Sequence, residues 1–225
     1  MRETLIAALI LMASAASAAA QTSKIEIGPV VRLDRIFIEG DATGNTPVAG
    51  VAATFQLSKS YGIETELTQA TGLIERSYEG RFVSYVTNPA PTREETEQLA
   101  PVARRTLGYE PRAGFSVTFR AGGDISQRVA ITAHAGATAR RYTETSRYAI
   151  LSIPDGVDPA RVARDHQDSS SEHWRGGLLF GFDTPIAMSR HFSLTPEVRL
   201  VYGGPARIGD KYREVGVGLR CGWRF

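Results

Sequence analysis

From Glu214 to Phe225 the chain alternates residue by residue. Val215, Val217, Leu219, Cys221, Trp223 and Phe225 are apolar, while Glu214, Gly216, Gly218, Arg220, Gly222 and Arg224 are charged or small. A period of two marks a β-strand with two chemically different faces. The same alternation puts Val51, Ala53, Phe55 and Leu57 on one face. It does so again for Phe115, Val117 and Phe119, and for Val129, Ile131, Ala133, Ala135 and Ala137. Leu178, Phe180 and Phe182 follow, then Phe192, Leu194, Val198 and Leu200. These patterns predict strands near 24–38, 48–58, 63–72, 112–121, 129–142, 174–184, 192–202 and 212–225. Most exceed the about 5–6 residues of an ordinary strand and approach the about 9–11 that a tilted strand needs to cross a bilayer.

The connections run long and short in turn. Lys59-Ser60-Tyr61-Gly62, Gly122-Gly123-Asp124 and Ser189-Arg190-His191 are expected to be tight turns, and 39–47, 73–111, 143–173 and 203–211 long loops. Alternation gathers the long loops at one end and the turns at the other, as in membrane barrels with an even number of strands. The expectation is an all-β fold, an eight-stranded antiparallel up-and-down transmembrane β-barrel, formed as one domain by residues 21–225.

Which face points inward decides between a soluble barrel with an apolar cavity and a membrane barrel. The non-apolar face carries Glu26, Arg32, Asp34, Glu64, Glu66, Arg120, His134, Arg140, Arg175, Asp183, Glu197, Arg199, Glu214, Arg220 and Arg224. It also carries Gly114, Gly136, Gly177, Gly181, Gly216, Gly218 and Gly222. Small residues suit the crowded interior of an eight-stranded barrel. With His134 set aside the charged groups balance, as expected where they must pair in a confined space. Tyr142, Trp174, Tyr202, Tyr212, Trp223 and Phe225 fall near strand ends, where membrane barrels carry aromatic girdles. Polar inside and lipid outside is therefore expected.

Residues 1–20 read as a cleaved secretory signal peptide: Arg2, an apolar run from Leu5 to Ala13, and Ala18-Ala19-Ala20 before Gln21. The run is shorter than the about 20 residues of a spanning helix. A formal charge of +2 argues against nucleic acid as partner. One cysteine excludes an internal disulfide framework. Four scattered histidines show no metal-ligand spacing. No cofactor and no metal are expected. Three positions fit poorly. Pro29 and Pro196 lie inside strands and suggest bulges. Arg35 falls on the lipid side unless a bulge near Leu33–Arg35 or a strand end at the interface accommodates it.

The signal segment, strand pattern, loop asymmetry and terminal Gly222-Trp223-Arg224-Phe225 resemble the small outer-membrane β-barrel proteins, a group that includes the OmpA transmembrane domain, OmpX and OmpW-like families. The resemblance implies a Gram-negative outer membrane, contact with outer-membrane lipid and lipopolysaccharide, and recognition of Trp223 and Phe225 by the barrel assembly machinery. It implies no peptidoglycan-binding domain after the last strand. With no open sheet edge, a monomer is expected. The role it suggests is structural or surface-interacting through the long loops, with the lumen filled by paired charges. Alternatives are a narrow channel for small solutes and a lipid A-modifying enzyme.

Within 73–111, Thr92 and Glu95 match a capping box, leading into a short polar helix over Glu94–Arg105 that Pro101 limits. Arg104 and Arg105 are candidates for lipopolysaccharide phosphates. Tyr148, Ile150, Leu151 and Ile153 suggest a hairpin beyond the membrane, and Asp165–Glu172 reads as a flexible polar run. The His-x-Ser of some lipid A deacylases is matched in spacing by His191-Phe192-Ser193, with Glu197 nearby. By parity all three face the lumen at the turn end, away from outer-leaflet acyl chains, so no catalytic residue is expected.

Overall fold

The computed structural model describes residues 25–38, 42–82, 100–203 and 212–225. In β1 (Ile25–Ile38), burial alternates with the sequence: Val30, Arg32, Asp34 and Ile36 are buried, while Val31, Leu33 and Arg35 are exposed. The strands β2 (Ala42–Gln56), β3 (Tyr61–Ala70), β4 (Ile74–Arg81), β5 (Val102–Asp124) and β6 (Ala130–Ser152) follow. After the helix α1 (Pro159–Asp165) come β7 (Ser169–Asp183), β8 (Ile186–Ala187), β9 (Phe192–Gly203) and β10 (Tyr212–Arg224). Eight of them form a ring in the order β1-β2-β3-β5-β6-β7-β9-β10, every pair antiparallel. The ring closes where β10 meets β1, Tyr212 against Ile38 and Arg224 against Glu26. The Phe225 amide donates to the Ile25 carbonyl (2.9 Å), so the last residue is tied to the first strand. Closure leaves the barrel wall without a free edge.

The exterior is apolar. Val31, Leu33, Val51, Leu67, Phe115, Val117, Phe119, Leu178, Phe180, Phe182, Val198, Leu200 and Val217 are all exposed. A contiguous belt of this size on a protein in water would drive association. Around a closed antiparallel ladder it is a lipid-facing surface. Among the described residues no helix is long and apolar enough to cross a membrane.

Several expectations change. β2 starts at Ala42, so the first connection is residues 39–41 and not a long loop. Gly122, Gly123 and Asp124 belong to β5, and the turn lies beyond them. β5 and β6 run to 23 residues each. Their outer halves, 102–111 and 142–152, pair above the barrel and add β4 on one side and the start of β7 on the other. The helix expected over Glu94–Arg105 does not reach Arg105, because the chain is strand from Val102. Thr92, Glu95 and the signal segment lie outside the described residues. The run Asp165–Glu172 is ordered: Asp165 ends α1, and Ser169 begins β7 opposite Ser146. Alternation failed to announce β4 because Glu75, Arg76, Ser77 and Glu79 are all polar.

Neither proline makes a bulge. The β1–β10 register is the same on both sides of Gly28 and Pro29, which simply drop out of the ladder. A Cβ at Gly28 would fall on the Cys221 carbonyl, so glycine lets the strands approach there. The carbonyl of Pro196 accepts from the Thr184 amide just past the end of β7. Its missing donor therefore points to a place where the neighbouring strand has ended. No register shift occurs near Arg35. It faces outward close to the end of β1, its guanidinium 5.5 Å from the Phe37 ring. Besides a register shift between Val102 and Ala103, a bulge does occur in β5 between Pro111 and Gly114. The extra residue reverses which positions face inward, so Leu107 and Tyr109 are buried above it and Ser116, Thr118 and Arg120 below.

Candidate functional site

The interior can be followed from the turn end to the loop end. At the mouth Arg224 Nε donates to Glu26 Oε2 (2.8 Å), beside a cavity of about 610 Å³ lined by Thr54, Gln56, Arg120, Asp124 and Thr132. Deeper, Glu64 is a hub. It accepts from Arg120 Nη1 (2.9 Å), Thr54 Oγ1 (3.1 Å), Arg199 Nη2 (3.3 Å) and Arg220 Nη1. Arg120 Nη2 also donates to Asp183 (2.6 Å), which meets His134 Nδ1 at 3.3 Å. Arg199 Nη1 donates to Glu66 (2.5 Å), and Arg32 bridges Glu66 (3.3 Å), Glu197 (3.2 Å) and Asp34 (2.7 Å). Arg140 then spans Asp34 (3.0 Å) and Glu214 (2.8 Å).

Every carboxylate in this column touches at least one guanidinium. Beyond the Arg224–Glu26 pair at the mouth each of these charged groups is nearly or fully buried, so the pairing is what makes their burial affordable. Carboxylate oxygens of Glu64, Glu66 and Glu197 approach within 4.8 Å of one another. Arg32, Arg199 and Arg220 already meet that charge, so the cluster reads as an ion-pair network and not a cation site.

The loop end of the lumen is different. Tyr142 Oη donates to Tyr212 Oη (2.8 Å), and Tyr212 is hydrogen-bonded to Glu214. Arg175 lies over the rings of Tyr109 (5.6 Å) and Tyr142 (5.7 Å), with Nε 3.1 Å from His173 Nε2. Ile36, Ile38, Ile74, Leu107, Leu179 and Val201 pack with these tyrosines into one buried apolar cluster. Tyr142 and Tyr212 are therefore interior residues and not the girdle aromatics expected of them. Trp174, Tyr202, Trp223 and Phe225 do face outward. The cap was partly legible, since Ile36, Ile38, Tyr142 and Tyr212 share parity with Arg32, Asp34, Arg140 and Glu214. Ile74 and Leu107 needed β4 and the β5 bulge. Tyr212→Phe leaves Tyr142 and Glu214 each short of a partner. It is expected to lower stability by about 1–3 kcal/mol, read as a lower urea midpoint for loss of the folded form.

Above the barrel, Arg105 sits between Tyr78 (6.0 Å to the ring) and Tyr148 (5.5 Å), donating to Tyr78 Oη and Ser146 Oγ, both at 2.9 Å. Phe82 and His166 pack on the Tyr148 ring at 5.7 and 5.3 Å. Arg104 is exposed and paired with Glu79 (2.5 Å). This part of the molecule is an ordered sheet, not a set of free loops.

The His-x-Ser pair does not assemble. His191 lies outside the barrel, stacked on the exposed Trp223 at 6.3 Å, not facing the lumen as parity suggested. It precedes β9, so the alternation of that strand does not govern it. Ser193 and Glu197 are buried in the interior.

The chain matches no protein-family model and no curated protein sequence. Among solved structures it is similar to Ail, the attachment invasion locus protein of Yersinia pestis, in complex with the heparin analogue sucrose octasulfate: 14% identity over 90% of this chain and 97% of that one, TM-score 0.45. It is similar to Neisserial surface protein A at 12% identity over 89% and 98%, TM-score 0.45. It is also similar to the outer membrane protein OprG from Pseudomonas aeruginosa at 12% over 90% and 95%, TM-score 0.39. Likenesses this distant do not bear on function; the fold stands on the closed ladder itself. With its apolar wall, paired interior charges and closed ring of eight antiparallel strands, the chain is an all-β transmembrane barrel.

Proposed function

We propose that this barrel does its work at its outer surface: it neither conducts solutes nor catalyses a reaction, and it holds a rigid sheet above the outer membrane. One observation carries the reading. Beyond the cavity at the turn-end mouth the lumen is filled by ion pairs, and it is closed at the loop end by an apolar cap, while β5 and β6 continue past the membrane with β4 and β7. A wide pore needs free cross-section, and an eight-stranded interior is barely wide enough for its own side chains. The ion pairs fix strand register, and the sheet offers a surface for contact.

The membrane partners follow from the outward residues. Near the loop-end rim Arg35 lies over Phe37 and Arg213 over Tyr202 (5.8 Å), and neither meets a carboxylate among the described residues. Two outward arginines beside the apolar belt suit lipopolysaccharide phosphates. Trp223 and Phe225, exposed at the turn end, are the groups offered to the barrel assembly machinery. Residues 1–20 direct export and are then removed, and a closed wall with no free strand edge supports a monomer.

The test is gel mobility of the outer-membrane fraction with and without boiling. Recovery in that fraction, with unboiled protein migrating apart from boiled protein, is the expected result. Recovery as a soluble periplasmic protein without a shift would overturn the reading and make the apolar face a cavity lining.

A further inference from the structure

The three tight turns are one structure built three times. In Leu57-Ser58-Lys59-Ser60-Tyr61 the amides of Leu57 and Ser58 donate to the Tyr61 carbonyl at 2.9 and 3.1 Å. Ile125 and Ser126 donate in the same way to Val129 (2.9 and 3.0 Å), and Met188 and Ser189 to Phe192 (3.0 and 3.1 Å). In each turn the serine hydroxyl accepts two amides further on. Ser58 Oγ takes Ser60 and Tyr61, Ser126 Oγ takes Arg128 and Val129, and Ser189 Oγ takes His191 and Phe192, all at 3.1–3.3 Å. A serine closing the turn through its side chain replaces the glycine that a left-handed turn would need. Among the described residues no non-glycine has positive φ.

The repeat is chemical as well. Each turn opens on an exposed aliphatic residue: Leu57 (51% exposed), Ile125 (63%) and Met188 (60%). Each carries one exposed cation at its tip, Lys59, Arg128 or Arg190. None of the three cations is ion-paired to a carboxylate among the described residues, whereas Arg224 at the same end is held by Glu26. Each turn thus sets an apolar anchor next to an unneutralised cation. That is the arrangement of a group lying at the boundary between acyl chains and anionic headgroups.

We propose that the three turns form a ring that binds the headgroups of anionic phospholipid in the leaflet at the turn end. The aliphatic residues enter the acyl region, and Lys59, Arg128 and Arg190 meet the phosphates. The inference rests on the membrane-barrel reading above. It concerns the end opposite to Arg35 and Arg213.

The protein carries its own reporters. Its two tryptophans sit at opposite ends: Trp223 stacks on His191 beside the third turn, and Trp174 packs on Phe115 (6.0 Å) toward the loop end. W174F and W223F leave one reporter each. Quenching by brominated phosphatidylglycerol is compared with quenching by brominated phosphatidylcholine in vesicles of the refolded full chain. Each cation at an anionic surface contributes about fivefold in partition. Phosphatidylglycerol should therefore be preferred at Trp223 and not at Trp174.

The preference should fall at least about tenfold in K59Q/R128Q/R190Q, survive in R35Q/R213Q, and weaken in about 1 M salt, where screening acts within about 3 Å. Equal quenching of Trp223 by the two lipids, or a preference that survives the triple substitution, overturns the proposal while leaving the barrel reading intact. Absence of quenching by either lipid overturns both.

Discussion

Glu64→Ala is expected to destabilise the folded barrel by about 3–5 kcal/mol, the cost of leaving buried charge without its partner. Glu64 is 1% exposed and is the common acceptor of Arg120, Arg199 and Arg220. Of these, Arg120 keeps Asp183 at 2.5 Å and Arg199 keeps Glu66 at 2.5 Å. Arg220 keeps only Asp183 at 3.8 Å, and its Nε and Nη2 already lack a hydrogen-bond partner. The substitution therefore strands Arg220 above all. Glu26→Ala at the mouth removes the partner of Arg224, which is one-third exposed. Its cost should stay under about 1 kcal/mol, because water takes over. Urea titration of the heat-modifiable gel band measures both. Equal effects at the two positions would mean that the column of ion pairs is solvated and not packed.

Phe180→Arg tests the other face. Phe180 lies between the outward Trp174 and the end of β7 at Asp183, paired with Ala135 and Leu200, and points away from the interior. A charge there meets the middle of the bilayer and should cost about 2–4 kcal/mol. The sign is informative. On a barrel surrounded by water the same change would replace an exposed ring by a solvated cation, with little loss. Unchanged stability of F180R in lipid would contradict a lipid-facing wall.

How much of this was legible follows from what alternation can encode. The parity of β1, β7, β9 and β10 is unbroken, so Arg32, Asp34, Asp183, Glu197, Arg199, Glu214 and Arg220 could be placed on one face by counting. Counting cannot say which arginine meets which carboxylate. Arg140 and Asp34 lie on β6 and β1, opposite walls of the ring that only closure brings together. Counting also fails where its premise fails. The β5 bulge after Pro111 reverses parity, which hid Leu107 and Tyr109. Strands that rise above the bilayer no longer contrast apolar with polar faces, so β4 and the outer half of β5 read as loop. His191 lies just outside β9 and turns outward. The repeated turns share the order aliphatic, serine and cation, but the cation stands third in two and fourth in the other, so only the hydrogen bonds reveal them as one structure.

The central claim is that a membrane-spanning barrel has a closed interior. Reconstitution of the refolded, heat-modifiable protein into a planar bilayer tests it most directly. Ion pairs from Glu26 to Glu214 and the cap of Ile36, Ile74, Leu107, Tyr142 and Tyr212 should leave the membrane without discrete conductance steps. Regular single-channel steps that appear with the wild-type barrel, and vanish when it is omitted, would show an open path through the lumen and contradict the account.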